Sequence, residues 1–416
     1  MGIQGEASSS KHKATTDVTL VFRHFHPILA GAAERFRRYS IPMAKDGLHF
    51  QTYTLRESAE HPEEEAFHEG LQVHRITAEG GAWQRDAVLF QHAVEALSRH
   101  RGKGQVLQTS LAHGLALPWL KRARAHGVGC LYVGTMVGDD DAPAPVWRRL
   151  HQRWRMRQDY APFHTLVAST GVMAKWFEER GIRRDRIEII PNGVDTSRFR
   201  PAADAREKAA LRAELGIPLE TKLVLFVGSI VPRKGVDLLL RSWPGTLAHH
   251  PDARLALVGG FERPTFMTQE RIAALTEYQN GVRALAESTD KRGSVRFVPE
   301  TPTVEKWLRA ADVFVFPSEQ EGMGNVVLEA MACGLPSVIT RFKGLPEGEF
   351  GEPGCEFHLV PRTEADLTSG LNTALADVGK ANAMCRHARE WIMDRMDLRL
   401  TLARYSQLYH RLGHRH

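Results

Sequence analysis

The chain has 416 residues, 43% hydrophobic and 25% charged, which fits a folded protein and excludes a disordered or fibrous one. At roughly 150 residues per domain the length suits two or three domains. The formal net charge is +6 and the pI about 9.2, but no nucleic-acid recognition module accompanies the charge, so no nucleic-acid partner is expected.

Residues 1–16 read as a disordered leader. They lack the apolar stretch of a secretory signal, and Glu6 or Ala7 stands where myristoylation needs Ser or Thr. No stretch reaches the ~18 apolar residues of a membrane span. Cys130, Cys333, Cys355 and Cys385 are widely spread, with neither metal spacing nor a disulfide framework, which points to a cytoplasmic setting. Strands are predicted at 18–23, 50–55, 105–109, 130–134, 165–169 and 186–190, with helices at 34–45, 86–100 and 117–125. A turn-rich segment, PNGVDTSRFRP (191–201), separates these from strands at 222–227, 254–258, 295–298, 313–316 and 337–339, with helices between. Residues 384–412 read as one amphipathic helix. Alternating strands and helices require a parallel α/β sheet, here twice.

Three strand-to-helix turns carry chemistry. The richest is PSEQEGMGNVVLEAMACGLP, residues 317–336. A buried strand runs into a Gly-Met-Gly turn, and a helix begins near Asn325. Such a helix start gathers free N–H groups and favours an anion. Glu321 and Glu329 flank it and can accept hydroxyl hydrogen bonds on either side of that anion. A nucleotide sugar, with hydroxyls on both sides of a pyrophosphate, has this layout. The second turn, VGSIVPRKG (227–235), follows a strand and opens a helix at Val236, the setting of a phosphate site. The third, His24-Phe25-His26-Pro27 running to Gly31, lies at the first strand's carboxyl end, where ligands of open α/β sheets bind.

The 317–336 stretch resembles the signature of glycosyltransferase family 4: two Glu separated by seven residues, an EGMG turn and LEAMACG at 328–334. PNGVD at 191–195 is similar to that family too, and the likeness extends over roughly residues 18–412. It implies a GT-B fold, with two Rossmann-like domains whose parallel sheets face a cleft. The domains would be 17–195 on the acceptor side and 196–388 for the donor, with 389–416 a helix packing back on the first domain. It implies retaining transfer of a sugar from a UDP-, GDP- or ADP-sugar to a hydroxyl acceptor, with no metal or other cofactor. By the same resemblance, Lys234 and Arg233 hold the leaving diphosphate and Glu321 positions the sugar. Gly31, Ser229, Gly322, Met323, Gly324, Asn325, Val326 and Glu329 bind the donor, and His24, His26 and His113 face the acceptor. For the three histidines a plain loop role is the competing reading.

This chain departs from the pattern at two places. Ser229 stands where the family has Arg, with Arg233 as the substitute cation, and Val137 replaces a His. These leave two alternatives: a GT-B phosphorylase, or a nucleotide-binding scaffold with little turnover. Asp139–Asp141 suit a loop or cap better than a metal site. The basic stretch 147–157, with Trp147, Trp154 and Met156, reads either as a solvated helix face or as a peripheral contact with anionic membrane at its cytoplasmic side. Residues 261–292 carry no functional expectation.

Overall fold

The computed structural model describes residues 16–28, 31–68, 70–99, 104–135, 146–261, 269–290, 293–346, 348–376 and 378–414. Two sheets organise them. The first holds β1 (Thr16–Val21), β2 (Leu48–Leu55), β3 (Glu64–His68), β4 (Leu71–Ile76), β5 (Gln105–Thr109), β6 (Gly129–Val133), β7 (Thr165–Ala168) and β8 (Ile187–Ile189). Their order is β3-β4-β2-β1-β5-β6-β7-β8, parallel except for the β3–β4 pair. Helices α1 (Gly31–Ala44), α2 (Ala82–Arg99), α3 (Leu117–Ala125), α4 (Val146–Tyr160) and α5 (Gly171–Glu179) connect them.

The second sheet holds β9 (Lys222–Val227), β10 (Ala253–Val258), β11 (Val295–Val298), β12 (Val313–Phe316), β13 (Ser337–Thr340) and β14 (His358–Val360), all parallel, in the order β11-β10-β9-β12-β13-β14. Helices α6 (Ala205–Leu215), α7 (Val236–His249), α8 (Gln269–Thr289), α9 (Val304–Ala310), α10 (Asn325–Ala332) and α11 (Glu364–Ala376) accompany it. β12 shows why the sheet has helices on both faces. Phe314 and Phe316 enter one core, Val313 and Val315 the other, so an unbroken apolar run is buried on both sides.

The chain ends in two helices, α12 (Val378–Arg395) and α13 (Leu398–Gly413), where the pattern had suggested one. Asp397 caps α13 through the Arg399 N–H at 2.9 Å, and Val194 hydrogen-bonds the backbone on both sides of the break. Apolar spacing cannot reveal such a break, because it depends on a segment some 200 residues earlier. α12 packs on the second half through Ala388, Ile392 and Met396. α13 crosses to the first sheet, where Tyr405, Leu408, Tyr409 and Leu412 cover Val18, Leu20, Val106 and Leu131. The expected junction at residue 389 falls within α12; the crossing occurs at Met396–Asp397.

Candidate active site

The turns after β9 and β12 are joined into one unit. Gly235 closes the first turn at φ +67°, and a Cβ there would lie 2.2 Å from the Pro317 carbonyl oxygen. Glycine therefore fits on both conformation and space. The Arg233 carbonyl accepts from Glu319 N–H at 2.7 Å and from Ser318 Oγ at 3.1 Å. Three expected site residues meet here. Glu321 Oε1 lies 2.8 Å from Arg233 Nη1 and 2.7 Å from Lys234 Nζ, and accepts from Ser318 Oγ at 2.7 Å. Glu321 and Lys234 are largely shielded from water, while the Arg233 side chain is 41% exposed.

Beyond Glu321, Gly322 and Met323 lead to Gly324, whose left-handed φ of +68° starts α10 with no side-chain cap. No side chain thus takes the first amides of α10, and the Val327 N–H turns back to the Gly324 carbonyl at 2.9 Å. Met323 is 3% exposed, belongs to the core, and its sulfur lies 3.3 Å from the Asn192 N. Its side chain is therefore engaged in the core, which leaves only its backbone for the expected donor contact. The Val326 side chain also packs on that core.

A cleft of about 1320 Å³ runs between the two halves, and a cavity of about 270 Å³ adjoins it. Glu329 lines both, with Arg38, Arg198 and Thr301. Asn325, one turn earlier on the same helix face, lines the larger space. Ser229 lines the smaller cavity together with Gly228, Gly259 and Gly260. Among the described residues the Glu329 carboxyl accepts no hydrogen bond. Burial pushes it up to about 7; Arg38 and Arg198 pull the other way, and Glu305 adds to the rise.

On the first-half wall, His26 and Gly31 line the cleft. His24 and His113 are not among the residues lining either cavity. His24 Nδ1 lies 3.0 Å from Glu57 Oε1, and burial lowers the pKa of its imidazole. His113 Nε2 lies 3.1 Å from Asp86 Oδ2, which also pairs with Arg23 at 2.5 Å. Burial pushes the Asp86 carboxyl up, but Arg23 and His113 outweigh it and hold it below its usual range. Val137 and Asp139–Asp141 lie outside the described residues.

Several cleft residues had no place in the sequence reading. Arg35 of α1 donates to Asn192 Oδ1, and Asn192 Nδ2 donates to Asn325 Oδ1 at 2.8 Å. The linker thus ties the first-half wall to the start of α10. Arg38 and Arg198 face Glu329, and Arg198 is held by Glu305 at 2.7 Å. Across the cleft, Glu349 Oε2 accepts from the Gly171 N–H at 2.7 Å. The only local signal for these was the RFRRY run at 35–39 and the two arginines of SRFR at 197–200.

Comparison with known proteins follows the same division. Residues 207–391 match the glycosyl transferases group 1 family, and residues 29–198 match glycosyltransferase family 4. A GDP-mannose-dependent alpha-(1-6)-phosphatidylinositol monomannoside mannosyltransferase of Mycolicibacterium smegmatis is 36% identical over 233 residues, 53% of this chain and 56% of that protein. A D-inositol 3-phosphate glycosyltransferase of Acidothermus cellulolyticus is 36% identical over 197 residues, 45% of this chain and 41% of that protein. The chain spans about half the length of these curated relatives. In fold it is similar to a Rickettsia africae glycosyltransferase, with TM-score 0.76, 14% identity, and 96% and 98% of the two chains covered. It is also similar to Anabaena HepE in complex with UDP and glucose, with TM-score 0.73, 17% identity, and 94% and 99% covered. The two sheets facing one cleft are a GT-B fold, and the chain belongs to glycosyltransferase family 4.

Proposed function

We propose that this protein transfers a sugar from a nucleotide-sugar donor to a hydroxyl acceptor with retention of anomeric configuration. The observation that carries the reading is Glu329, which lines both cavities from the second turn of the glycine-started helix that follows the joined loops of Lys234 and Glu321 in the chain. In this reading the smaller cavity takes the base and Glu329 takes the ribose hydroxyls. The first amides of α10, with Lys234 and Arg233, take the diphosphate. Fixed positive groups at a leaving diphosphate stabilise the charge that develops as the glycosidic bond breaks. The C1–O bond breaks with its electron pair going to the diphosphate. The acceptor oxygen bonds C1 on the same face, and its proton passes to the departing phosphate oxygen. His26 and Gly31 lie on the wall where the sugar and acceptor would meet.

The relatives' names favour an acceptor built on an inositol phosphate or its lipid, and one of them names mannose as the sugar. A lipid acceptor suits peripheral contact with an anionic membrane. Trp154 of α4 is 60% exposed beside Arg153, Arg155 and Arg157, while Met156 packs inward. No helix among the described residues is long and apolar enough to cross a membrane.

The test is a thermal-shift screen against UDP, GDP, ADP and their sugars, run on wild type and Glu329→Gln. A ligand bound only by the folded state raises apparent stability. One nucleotide should stabilise the wild type and much less the variant. No response to any nucleotide counts against the donor assignment.

A further inference from the structure

The three charged groups beside the helix start present an unusual economy. Both cations converge on one atom, Glu321 Oε1, at 2.8 Å from Arg233 and 2.7 Å from Lys234. The same atom accepts from Ser318 Oγ at 2.7 Å, while Oε2 accepts no hydrogen bond among the described residues. The carboxylate is also fixed from behind. Glu321 N–H donates to the Lys343 carbonyl at 3.0 Å, and Lys343 N–H returns to Glu319 at 2.7 Å. Gly235 packs against Pro317, so the two loops cannot separate without losing that contact. Glu321 thus gathers Arg233 and Lys234 on one carboxylate oxygen, on loops that backbone contacts hold together.

We propose that Glu321 is a built-in stand-in for one diphosphate oxygen. It holds Arg233 and Lys234 in their working positions while the cleft is empty, and it competes with the nucleoside diphosphate for them once transfer is complete. The inference rests on the diphosphate reading of this site. Two cations held close together repel, and with Lys234 largely shielded that repulsion is only partly screened by the water that reaches Arg233. A carboxylate between them removes it before the donor arrives. The cost appears in affinity: the incoming diphosphate meets a site carrying one net positive charge rather than two. That suits turnover, because the nucleoside diphosphate is the product, and a site with two uncompensated cations would retain it. Oε2 stays available for a hydroxyl of the transferred sugar, so positioning the sugar and loosening the product can reside in one side chain.

The test compares affinities for UDP, GDP, ADP and inorganic pyrophosphate by calorimetry in wild type, Glu321→Gln, Lys234→Met and the double variant. Glu321→Gln keeps the shape and removes the charge, so the diphosphate that wild type binds should bind at least tenfold tighter. Product inhibition should strengthen and kcat should fall more than donor KM. Lys234→Met should weaken binding, and the double variant should return close to wild type, because one charge of each sign has gone. Should Glu321→Gln not fold, Ser318→Ala loosens the same carboxylate and should tighten binding two- to threefold. Unchanged or weaker affinity in Glu321→Gln overturns the stand-in. If Lys234→Met weakens binding in that case, the donor site itself survives; if neither variant alters affinity, the diphosphate reading falls with it.

Discussion

The carboxyl ends of the two sheets treat charge differently. Behind the second sheet, Lys234, Arg233 and Glu321 sit on loops fixed by backbone contacts, and Glu329 faces open space with no bond of its own among the described residues. Behind the first sheet, Arg23 and His113 Nε2 both pair with Asp86, which is 0% exposed. In the proposed reading the first arrangement, with the unbonded Glu329, serves a ligand, and the second completes a wall. Charged residues near a cleft are therefore not equivalent, and the question to ask of each is whether its partner is already inside the protein.

The largest expected effects separate the two regions. Asp86→Ala leaves the half-buried Arg23 and the buried His113 without their shared partner, and breaking such a pair costs up to about 3–5 kcal/mol. For domains of this size that corresponds to a Tm drop of roughly 10 °C. Thermal unfolding checks it, and nucleotide affinity below the transition should be retained. Lys234→Ala should do the reverse. Transfer should fall about 10²–10³-fold, as for other lost transition-state cations and donors, with a smaller loss of Tm than in Asp86→Ala, because Arg233 and Ser318 still hold the Glu321 carboxylate. A variant pair in which both properties move together would dissolve the distinction between wall and site.

Gly235→Ala probes the joint between the two donor-side loops. The left-handed conformation alone costs an Ala about 1–2 kcal/mol, and the added Cβ would fall 2.2 Å from the Pro317 oxygen. Lys234 and Glu321 should then lose register together, so stability drops by a few degrees and nucleotide affinity drops as well. Loss of stability with full affinity would show that the two loops work independently.

What could be read from the sequence follows the same line between backbone and side chain. Gly324, Gly235, Lys234, Glu321 and Glu329 were legible because strand, glycine turn and helix are contiguous, and the turn's geometry demands particular residues in a short string. β12 was legible because a strand buried on both faces is uniformly apolar. Arg38 and Arg198 were not, since an arginine on a helix face or in a linker looks solvated until the fold sets it opposite Glu329. The Arg23–Asp86–His113 group joins positions 63 and 27 residues apart, and no local pattern carries that pairing. β3 and β4 were missed because EEAFH and LQVHRI alternate weakly, and β14 because it has three residues. The core place of the Met323 side chain was hidden for a related reason: a turn seen as a string does not show which side chains point inward.

The smallest effect is also the most specific. Glu329 has an ordinary pKa of 4.5, raised to about 7 in the fold by burial first of all. Between these values the folded carboxyl keeps a proton that the unfolded chain has released. Stability of the ligand-free protein should therefore fall as pH rises from about 4.5 to about 7, then level off. Glu329→Gln cannot ionise and should lose that component of the slope in thermal melts, becoming the more stable protein at pH 8. Nucleotide binding should run in the opposite sense. Ribose hydroxyls donate to the ionised carboxylate, so they favour the charged form and lower its pKa. Affinity should rise through pH 7 in the wild type, with proton release measurable by calorimetry in two buffers of different ionisation enthalpy. It should be flat in the variant. A wild-type affinity without that rise, in a protein whose stability still shows the slope, would remove the ribose from Glu329 while leaving its burial in place.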